Sequence, residues 1–407
     1  MNQDIYIIEK LDHYGRGISH HNGQVVFIEN AMLDEKVEIV IENTKKKYIE
    51  AKTKHIIEKN KNRQEIICPY YHECGGCNLL HMNYQEQIRF KENKLKDIFS
   101  KYIDEKVNIN SIVTSENYYY RNKATFQVKE KIGYYKKKTY EIISIEKCLL
   151  VHPKINEFLL FIQNNIPLEG IDQIMVRVGV NTNQTMILIK GNTAMNSQKM
   201  NDLLKEKVDV LSLVVNNKYI YLTKQKQIQE KLGNYFLVIS PSSFFQVNTK
   251  QTEKLYNEVL KHIDSNDHVL DLYCGTGTIG IYVSKIASQV VGVELNEAAI
   301  FDANENKQIN HISNIEFICQ SVSKLKKKYK GINTIIVDPP RAGLDKKSID
   351  YILDYQAEKI IYVSCDPMTL ARDLNILKEH YAIQEITPVD MFPNTYHVEC
   401  VCVLKRR

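Results

Sequence analysis

The sequence of 407 residues contains no tryptophan, no internal repeat and no long hydrophobic run. A membrane-spanning helix needs about 18–20 consecutive apolar residues, and no stretch of this sequence approaches that length. The first ten residues lack a basic segment followed by an apolar one, so we expect no secretory signal peptide. The absence of tryptophan, beside 25 tyrosines, supports no functional inference.

The composition is that of a soluble globular protein, with 43% hydrophobic and 25% charged residues. The length predicts two or three domains. The net charge of +5 is compatible with nucleic-acid binding but is weak support by itself. The nine cysteines are odd in number and scattered, which indicates a reducing cytoplasm rather than a disulfide scaffold.

The first sixty residues alternate short apolar runs with turn signals. Strands are predicted at residues 5–8, 25–28 and 37–41, with turns at 14–17 and 22–23. Several short strands in so little sequence indicate a small β-barrel. A basic segment follows, and it is either a solvated face or a surface that contacts phosphates. Its members are Lys45, Lys46, Lys47, Lys52, Lys54, Lys59, Lys61 and Arg63.

Three cysteines, Cys68, Cys74 and Cys77, follow at the spacing C-x5-C-x2-C, and Cys148 lies further along the chain. Clustered thiolates are ligands for zinc or for an iron–sulfur cluster. A fourth ligand is needed, and Cys148 is the nearest candidate in the sequence. The spacing alone does not separate zinc from iron–sulfur.

The central part of the chain combines helical and strand patterns. Residues 83–101 predict an amphipathic helix. Residues 118–123 interleave tyrosines with Arg121 and Lys123 before a strand at 124–128. This mixture suits base stacking with phosphate contact, although the solvent face of a sheet has the same composition. Residues 173–180 and 213–222 each predict a strand.

From about residue 237 strands and helices alternate, which predicts a parallel sheet. In HVLDLYCGTGTIGIYV, residues 268–283, a strand ends at Asp271 and a glycine-rich turn leads into a helix. Glycines at that edge of a sheet allow a ligand to approach the backbone closely. The next strand, VVGVE, ends in Glu294, whose carboxylate suits ribose hydroxyls. NAD and S-adenosylmethionine both contain such hydroxyls, so these motifs leave both open.

The segment TIIVDPPRAGL, residues 334–344, helps to distinguish between NAD and S-adenosylmethionine. A buried strand runs into Asp338, and two prolines fix the following loop because their φ angles are locked. A dehydrogenase has no evident use for this element, although an ordinary strand-end turn would look similar. The segment SPSSFFQVN, residues 240–248, offers aromatic and amide groups to a flat heterocycle.

Cys365 lies between a predicted strand at 360–363 and a predicted helix. Asp366 is a typical N-cap residue and Pro367 a typical first helical residue. A helix N-terminus can lower the pKa of a thiol, which predicts a reactive thiolate. The alternative is a buried, inert cysteine.

Glu399 precedes the last predicted strand, residues 400–404, and is expected close to Cys365. Taken alone, it would be an ordinary surface glutamate.

The motifs SPSSFFQVN, LDLYCGTGTIG, VDPPRAGL, YVSCDPMTLARDL and HVE, in this order, resemble those of the RNA uracil-5-methyltransferases that use S-adenosylmethionine. The N-terminal barrel resembles the OB-like TRAM domain of the ribosomal RNA branch, and the cysteines resemble its 4Fe-4S site. The resemblance covers essentially the whole chain, least clearly residues 150–232.

The resemblance implies three domains: a TRAM-like β-barrel (1–60), an α+β RNA-binding domain with the iron–sulfur cysteines (61–235), and a Rossmann-like α/β methyltransferase (236–407). The helix at 83–101 is a candidate to pack on the catalytic domain. It also implies that Cys365 is the nucleophile that adds to carbon 6 of uracil and that Glu399 is the general base. The implied S-adenosylmethionine contacts are Gln246, Tyr273, Glu294 and Asp338, with Thr278 and Gln320 as further pocket candidates. Phe244 is a candidate to stack on the target base, and the implied cluster ligands are Cys68, Cys74, Cys77 and Cys148.

The expected partner is 23S ribosomal RNA, with no DNA, no membrane and a monomeric protein. The nearest alternative is the transfer-RNA branch of the same family, which by resemblance lacks the barrel and the cysteines. A DNA cytosine-5 methyltransferase typically has a Pro-Cys pair, where this chain has Ser364-Cys365. A non-catalytic iron–sulfur RNA-binding protein and a dehydrogenase are more remote alternatives.

Overall fold

The structure is a computed structural model that describes residues 5–326 and 328–407. Its first sheet occupies the region of the predicted barrel, and its strands follow the order β1-β5-β6-β4-β3-β2. These strands are β1 (Tyr6–Ile7), β2 (Lys10–Leu11), β3 (Gly17–His21), β4 (Gln24–Glu29), β5 (Lys36–Thr44) and β6 (Tyr48–Glu58). The β3–β4 turn is Asn22-Gly23, where both φ angles are positive, as such a tight hairpin requires. Ile8, Val26 and Val37 are fully buried beneath this sheet.

Helix α1 (Tyr84–Tyr102) lies between the N-terminal and the central sheet in the sequence, but it packs on the C-terminal sheet. It begins at Asn83, whose side chain accepts a hydrogen bond from the Glu86 amide. Its apolar stripe, including Leu95 and Phe99, lies in the same core as the C-terminal sheet. The helix therefore packs on the C-terminal half, although it precedes that half by more than a hundred residues.

The central sheet has seven strands in the order β13-β12-β11-β10-β7-β8-β9. Helices α2 (Pro153–Asn165) and α3 (Ser197–Leu204) bury their apolar residues in the core of this sheet. The strands are β7 (Lys123–Val128), β8 (Ile132–Tyr135), β9 (Ile142–Ser144), β10 (Ile171–Val178), β11 (Thr185–Gly191), β12 (Val210–Val215) and β13 (Lys218–Tyr221).

The single strand predicted at residues 213–222 is wrong, because the chain forms a hairpin there. β12 and β13 pair antiparallel, with Val215 opposite Lys218. The turn between them is Asn216-Asn217, and both residues have positive φ angles, 50° and 61°. Asparagine tolerates this left-handed conformation better than most residues, so the pair was the available turn signal.

The C-terminal half begins with a hairpin and continues into a seven-stranded sheet of order β18-β17-β16-β19-β20-β22-β21. The hairpin consists of β14 (Ile228–Leu232) and β15 (Tyr235–Ile239). The strands of the seven-stranded sheet are β16 (His268–Leu272), β17 (Gln289–Glu294), β18 (Ile315–Cys319), β19 (Thr334–Val337), β20 (Lys359–Ser364), β21 (Tyr381–Val389) and β22 (Glu399–Arg406). The helices of the C-terminal half are α4 (Thr249–Leu260), α5 (Thr278–Val283), α6 (Glu297–Ile309), α7 (Lys346–Tyr355) and α8 (Pro367–Leu377), with a short 3-10 turn at Val322–Lys324.

Strands β16 to β20 of this sheet are parallel, and at one side β22 pairs antiparallel with both β20 and β21. The carboxyl ends of the parallel strands therefore share one edge, where ligands bind in folds of this kind. Among the helices in the described part of the chain, none is long and apolar enough to cross a lipid bilayer.

Candidate active site

Cys365 lies in a two-residue connection between β20 and α8. The Asp366 side chain accepts hydrogen bonds from the amides of Met368 and Thr369, at 3.0 and 3.2 Å, and so caps α8. The Ser364 hydroxyl donates a hydrogen bond of 3.0 Å to the Asp366 carbonyl. The polar residues on both sides thus fix the backbone that carries the thiol.

Glu399 reaches the same place from the other end of the sequence. β22 runs antiparallel to β20, with Cys400 opposite Ser364. The first residue of β22 therefore lies beside the residue that follows β20, and Glu399 and Cys365 line the same cavity. Glu399 is 3% exposed, so it is a buried carboxyl rather than a surface glutamate.

This cavity has a volume of about 580 Å³ and opens at the carboxyl edge of the parallel strands. Eight of the residues singled out in the sequence line it: Phe244, Gln246, Tyr273, Thr278, Glu294, Asp338, Cys365 and Glu399. Their positions follow from the sheet, because Val337 of β19 pairs with both Leu272 of β16 and Tyr362 of β20.

Gln320 is the exception, and its suggested place in the pocket is wrong. Its side chain is exposed and donates a hydrogen bond to the Lys324 carbonyl. The neighbouring residues Ser321 and Ser323 line the cavity instead. The glutamine follows β18, and the chain turns there so that only the next residues face the cavity.

The glycine-rich turn after β16 brings backbone to the cavity wall. Tyr273, directly after the strand, has a positive φ of 63°, and its hydroxyl donates a hydrogen bond of 2.8 Å to Ser348. Gly277 has φ +76°, and a Cβ atom there would lie 2.4 Å from the Phe317 ring. A side chain at this position would therefore require both a strained backbone and a displaced ring.

Glu294 is held in place at the end of β17. One of its carboxylate oxygens accepts hydrogen bonds of 2.8 Å from the amides of Leu295 and Asn296. The other accepts a hydrogen bond of 3.3 Å from the Gly275 amide. This carboxylate and the glycine-rich turn thus form one hydrogen-bonded wall.

Three carboxyls have raised pKa values at this site: Asp338 and Glu399 line the cavity, and Asp271 is fully buried in β16. Burial raises the pKa of Asp338 to about 7, and burial together with Asp338 raises the pKa of Glu399 to about 8. Burial and the Asp338 charge also raise the pKa of Asp271 to about 8. Within the described ranges, neither oxygen of Asp271 accepts a hydrogen bond of good geometry. A buried acidic cavity of this kind favours a positively charged ligand.

The same carboxyls act on the cysteine. Burial raises the pKa of Cys365 to about 11, with further contributions from Glu399, Asp338 and Asp366. The expectation of a lowered pKa is wrong, because burial, followed by the charges of Glu399, Asp338 and Asp366, outweighs the effect of the start of α8. The thiol is therefore protonated at neutral pH until the charge around it changes.

The loop before α4 carries the aromatic candidate Phe244. Asp302 of α6 accepts hydrogen bonds from the hydroxyls of Ser240, at 2.7 Å, and Ser243, at 2.5 Å. The Asn122 side chain donates a hydrogen bond of 3.0 Å to the Gln246 carbonyl. Phe244, between these anchors, is 70% exposed at the rim of the cavity.

Tyr256 of α4 also lines the cavity, and sequence reasoning missed it. Its hydroxyl and that of Thr278 are 2.8 Å apart and share a hydrogen bond. It occupies an apolar position of an amphipathic helix, so the sequence offered no signal that distinguished it from a core tyrosine.

The four predicted cluster ligands line a second cavity of about 650 Å³, together with Arg121 and Lys137. The ligands are Cys68, Cys74, Cys77 and Cys148, and all are free thiols. Their charges act on one another, and among the residues that the structure describes the buried Nε of Arg121 has no hydrogen-bond partner. Across residues 5–326 and 328–407, no group of three or more His, Cys, Asp or Glu side chains is arranged to hold a metal ion.

Comparison with known proteins gives two matches to protein families. Residues 83–407 match the family described as tRNA (Uracil-5-)-methyltransferase, and residues 7–54 match the TRAM domain. The TRAM match coincides with the first sheet, and the methyltransferase match covers the structure that follows the cysteine-rich segment.

Relatives resemble the chain over nearly its full length. An uncharacterized RNA methyltransferase of Clostridium acetobutylicum is 36% identical over 99% of this chain and 96% of its own. One of Bacillus cereus is 32% identical over 98% of this chain and 96% of its own. The crystal structure of the tRNA (uracil-54, C5)-methyltransferase of Pyrococcus abyssi, with S-adenosyl-L-homocysteine, has a TM-score of 0.80 at 27% identity, and covers 99% of this chain and 100% of that one.

Proposed function

The chain belongs to the tRNA (uracil-5-)-methyltransferase family of RNA methyltransferases, and we propose that it methylates carbon 5 of a uridine in 23S ribosomal RNA. The observation that carries the proposal is the common cavity of Cys365, Glu399 and Asp338 beside the glycine-rich turn. It combines a nucleophile, a proton acceptor and a ligand-binding sheet edge in one place.

The cavity suits S-adenosylmethionine, which supplies a methyl group from a positively charged sulfonium. Burial is the main cause of the raised pKa values of Asp271, Asp338 and Glu399, and a cation in the cavity would favour their ionised forms. Glu294, held by three backbone amides, is positioned to accept hydrogen bonds from ribose hydroxyls. Gln246, Tyr273 and Asp338 complete the proposed binding set.

Cys365 begins the proposed reaction by covalent catalysis. Its thiolate adds to carbon 6 of uracil, and the new S–C bond converts the ring into an enolate. Carbon 5 of that enolate is nucleophilic and would take the methyl group from the sulfonium, whose S–CH3 bond breaks and leaves its electron pair on the neutral sulfur. Because burial and nearby carboxylates hold the pKa of Cys365 near 11, the thiol needs a change of charge in the cavity before it ionises. A cationic ligand beside Asp338 and Glu399 supplies such a change.

Glu399 completes the proposed reaction as general base. After methylation, carbon 5 carries both a hydrogen and the methyl group. The Glu399 carboxylate accepts that proton, the C5–C6 double bond forms again, and the S–C bond to Cys365 breaks. The raised pKa of about 8 makes the Glu399 carboxylate a stronger base than an ordinary glutamate, and its ionised fraction increases as the pH rises towards that value.

Transfer RNA is the second candidate substrate. The Pyrococcus abyssi structure is of a tRNA enzyme, and it covers 99% of this chain. The N-terminal sheet therefore does not by itself separate a ribosomal from a transfer-RNA enzyme, contrary to the sequence-based expectation.

Mapping of 5-methyluridine by mass spectrometry, in cells with and without the gene, tests the substrate. We expect loss of the modification from 23S ribosomal RNA and its return with the intact gene but not with Cys365→Ala. Loss from transfer RNA alone would favour the second candidate. Unchanged 5-methyluridine in both RNAs would contradict the proposed activity.

We further propose that Cys68, Cys74, Cys77 and Cys148 hold a 4Fe-4S cluster. All four residues line one cavity, and the charges of their thiols act on one another. Arg121 and Lys137 line the same cavity and would offset the negative charge of four thiolates.

Metal analysis tests this site. Protein purified without oxygen should be brown and contain about four irons per chain, and Cys148→Ser should lose them. Cys319→Ser is the matched control, because Cys319 is exposed and lies outside this cavity. A colourless protein that contains zinc would contradict the assignment.

A further inference from the structure

A third cavity, of about 300 Å³, lies where the N-terminal sheet, the cysteine-rich segment and the loop before β22 meet. Tyr14 and Arg16 contribute the first wall, Asn78 the second and Tyr396 the third. The proposed methyl transfer does not use this cavity, which shares no lining residue with the active-site cavity. Gly75, Lys137 and Lys138 also border the cavity of the four cysteines, but none of those cysteines lines this one.

Two aromatic rings form a corner of the cavity. The Tyr14 and Tyr396 rings meet at 89°, with centroids 5.2 Å apart. Tyr14 is nevertheless 55% exposed, so the contact with Tyr396 leaves much of its surface uncovered. A tyrosine that only joined two parts of the protein would be expected to bury more of its ring.

Arg16 stiffens this corner. Its Nε donates a hydrogen bond of 2.7 Å to Asp12, and its guanidinium lies 4.4 Å from the Phe27 ring centroid and 5.6 Å from that of Tyr14. The walls hold three basic side chains and one carboxylate, that of Glu29. Planar groups with an excess of positive charge are the features that recognise an unstacked base and its phosphate.

Tyr396 connects this cavity to the candidate active site. It precedes Glu399 by three residues, so the two Cα atoms are within about 10 Å of each other. Arg341, which lines the active-site cavity, interacts electrostatically with Tyr396, and this interaction contributes to the raised pKa of Arg341. Lys94 donates a hydrogen bond of 2.9 Å to the Tyr396 carbonyl, and its ammonium lies 5.1 Å from the ring centroid. One fixed loop thus borders both cavities.

We propose that this cavity binds an unpaired base of the RNA substrate, a near neighbour of the target uridine, by stacking on Tyr14 and Tyr396. The inference rests on the proposed function only in taking single-stranded RNA as the ligand. It assigns to the N-terminal sheet a defined base-binding position instead of general attraction for phosphates.

Binding of a labelled oligouridylate of about 12 nucleotides, measured by fluorescence anisotropy without S-adenosylmethionine, tests the site. We expect Tyr14→Ala to weaken binding about tenfold, within the range of about 5- to 150-fold that one stacked base provides. The salt dependence of binding should not change, because no charge is removed. Tyr14→Phe keeps the ring and should bind within about twofold of the wild type.

Tyr102→Ala is the matched control, since Tyr102 is 40% exposed and lines neither this cavity nor the active site. Unchanged affinity in Tyr14→Ala would overturn the proposal, above all if the melting temperature fell, because the ring pair would then be structural. An equal loss in Tyr102→Ala, or wild-type binding no tighter than to an abasic strand, would also overturn it. Methyl transfer does not enter this assay, so failure of the proposed reaction would leave its result unchanged.

Discussion

The charge on Glu399 should control the reactivity of Cys365, and the substitution Glu399→Gln measures that control. Glu399 is the strongest of the charges that raise the pKa of Cys365 to about 11. At pH 9 such a pKa leaves about one thiol in a hundred ionised. A neighbouring like charge typically changes ionisation by about tenfold or more, and the lower value applies here because Cys365 is partly exposed to solvent.

The effect should depend on pH in a particular way. The pKa of Glu399 is raised to about 8, so below that value the carboxyl is mostly neutral and resembles glutamine. The wild type and Glu399→Gln should therefore ionise Cys365 equally near pH 6.5 to 7. Above about pH 8 the wild-type carboxylate is charged and suppresses the thiolate, and the variant should be about tenfold more reactive.

Alkylation by iodoacetamide provides the assay, because the reagent reacts with the thiolate. The rate at Cys365 is followed by mass spectrometry of its peptide, since the chain has eight other cysteines. Glu294→Gln is the matched control, because Glu294 lines the same cavity but is not among the charges that act most on Cys365. Rate profiles that coincide at every pH, or a wild-type thiol that ionises below pH 8, would refute the reasoning.

Three further outcomes follow from the site and the core. Cys365→Ala should abolish methyl transfer yet retain RNA binding in a gel-shift assay, and retained methylation would exclude Cys365 as the nucleophile. Glu399→Gln should accumulate a covalent protein–RNA adduct on denaturing gels, because the proton at carbon 5 stays in place, and a variant that turns over without any adduct would exclude Glu399 as the base. Lys91→Ala should lower the free energy of unfolding in urea by about 3–5 kcal/mol, since it removes the ammonium that lies 2.6 Å from the fully buried Asp390 carboxylate. Lys91→Met combined with Asp390→Asn should restore most of the lost free energy. A loss below about 1 kcal/mol for Lys91→Ala would contradict the burial of this pair.

Local signals predicted the elements that carry the chemistry. Asp366 and Pro367 mark the start of α8 so clearly that the strand, the cysteine and the helix follow from a few residues. The strand that runs into Asp338 was equally readable, because its residues are apolar and mostly β-branched. Such elements are determined by residues that are adjacent in the sequence, so they can be predicted from the sequence alone.

Properties that depend on distant residues could not be predicted in the same way. The pKa of Cys365 is raised by Glu399 and Asp338, which come from other strands, so the local expectation from the helix start had the wrong direction. Gln320 failed for a related reason, since the direction of a side chain after β18 is set by the packing of the following turn. The role of Glu399 itself came from resemblance, because a single glutamate carries no local signal.

The ion pair between Lys91 and Asp390 joins residues 299 positions apart, which has a consequence for folding during translation. At about 5–20 residues per second, roughly 15 to 60 s separate the synthesis of the two partners. Until β16 and the strands after it are synthesised, the stripe of Leu95, Ile98 and Phe99 has no sheet to cover it. The nascent chain therefore exposes an apolar helix surface through much of its translation, and premature stop codons near the end should yield a product that chaperones retain and proteases remove.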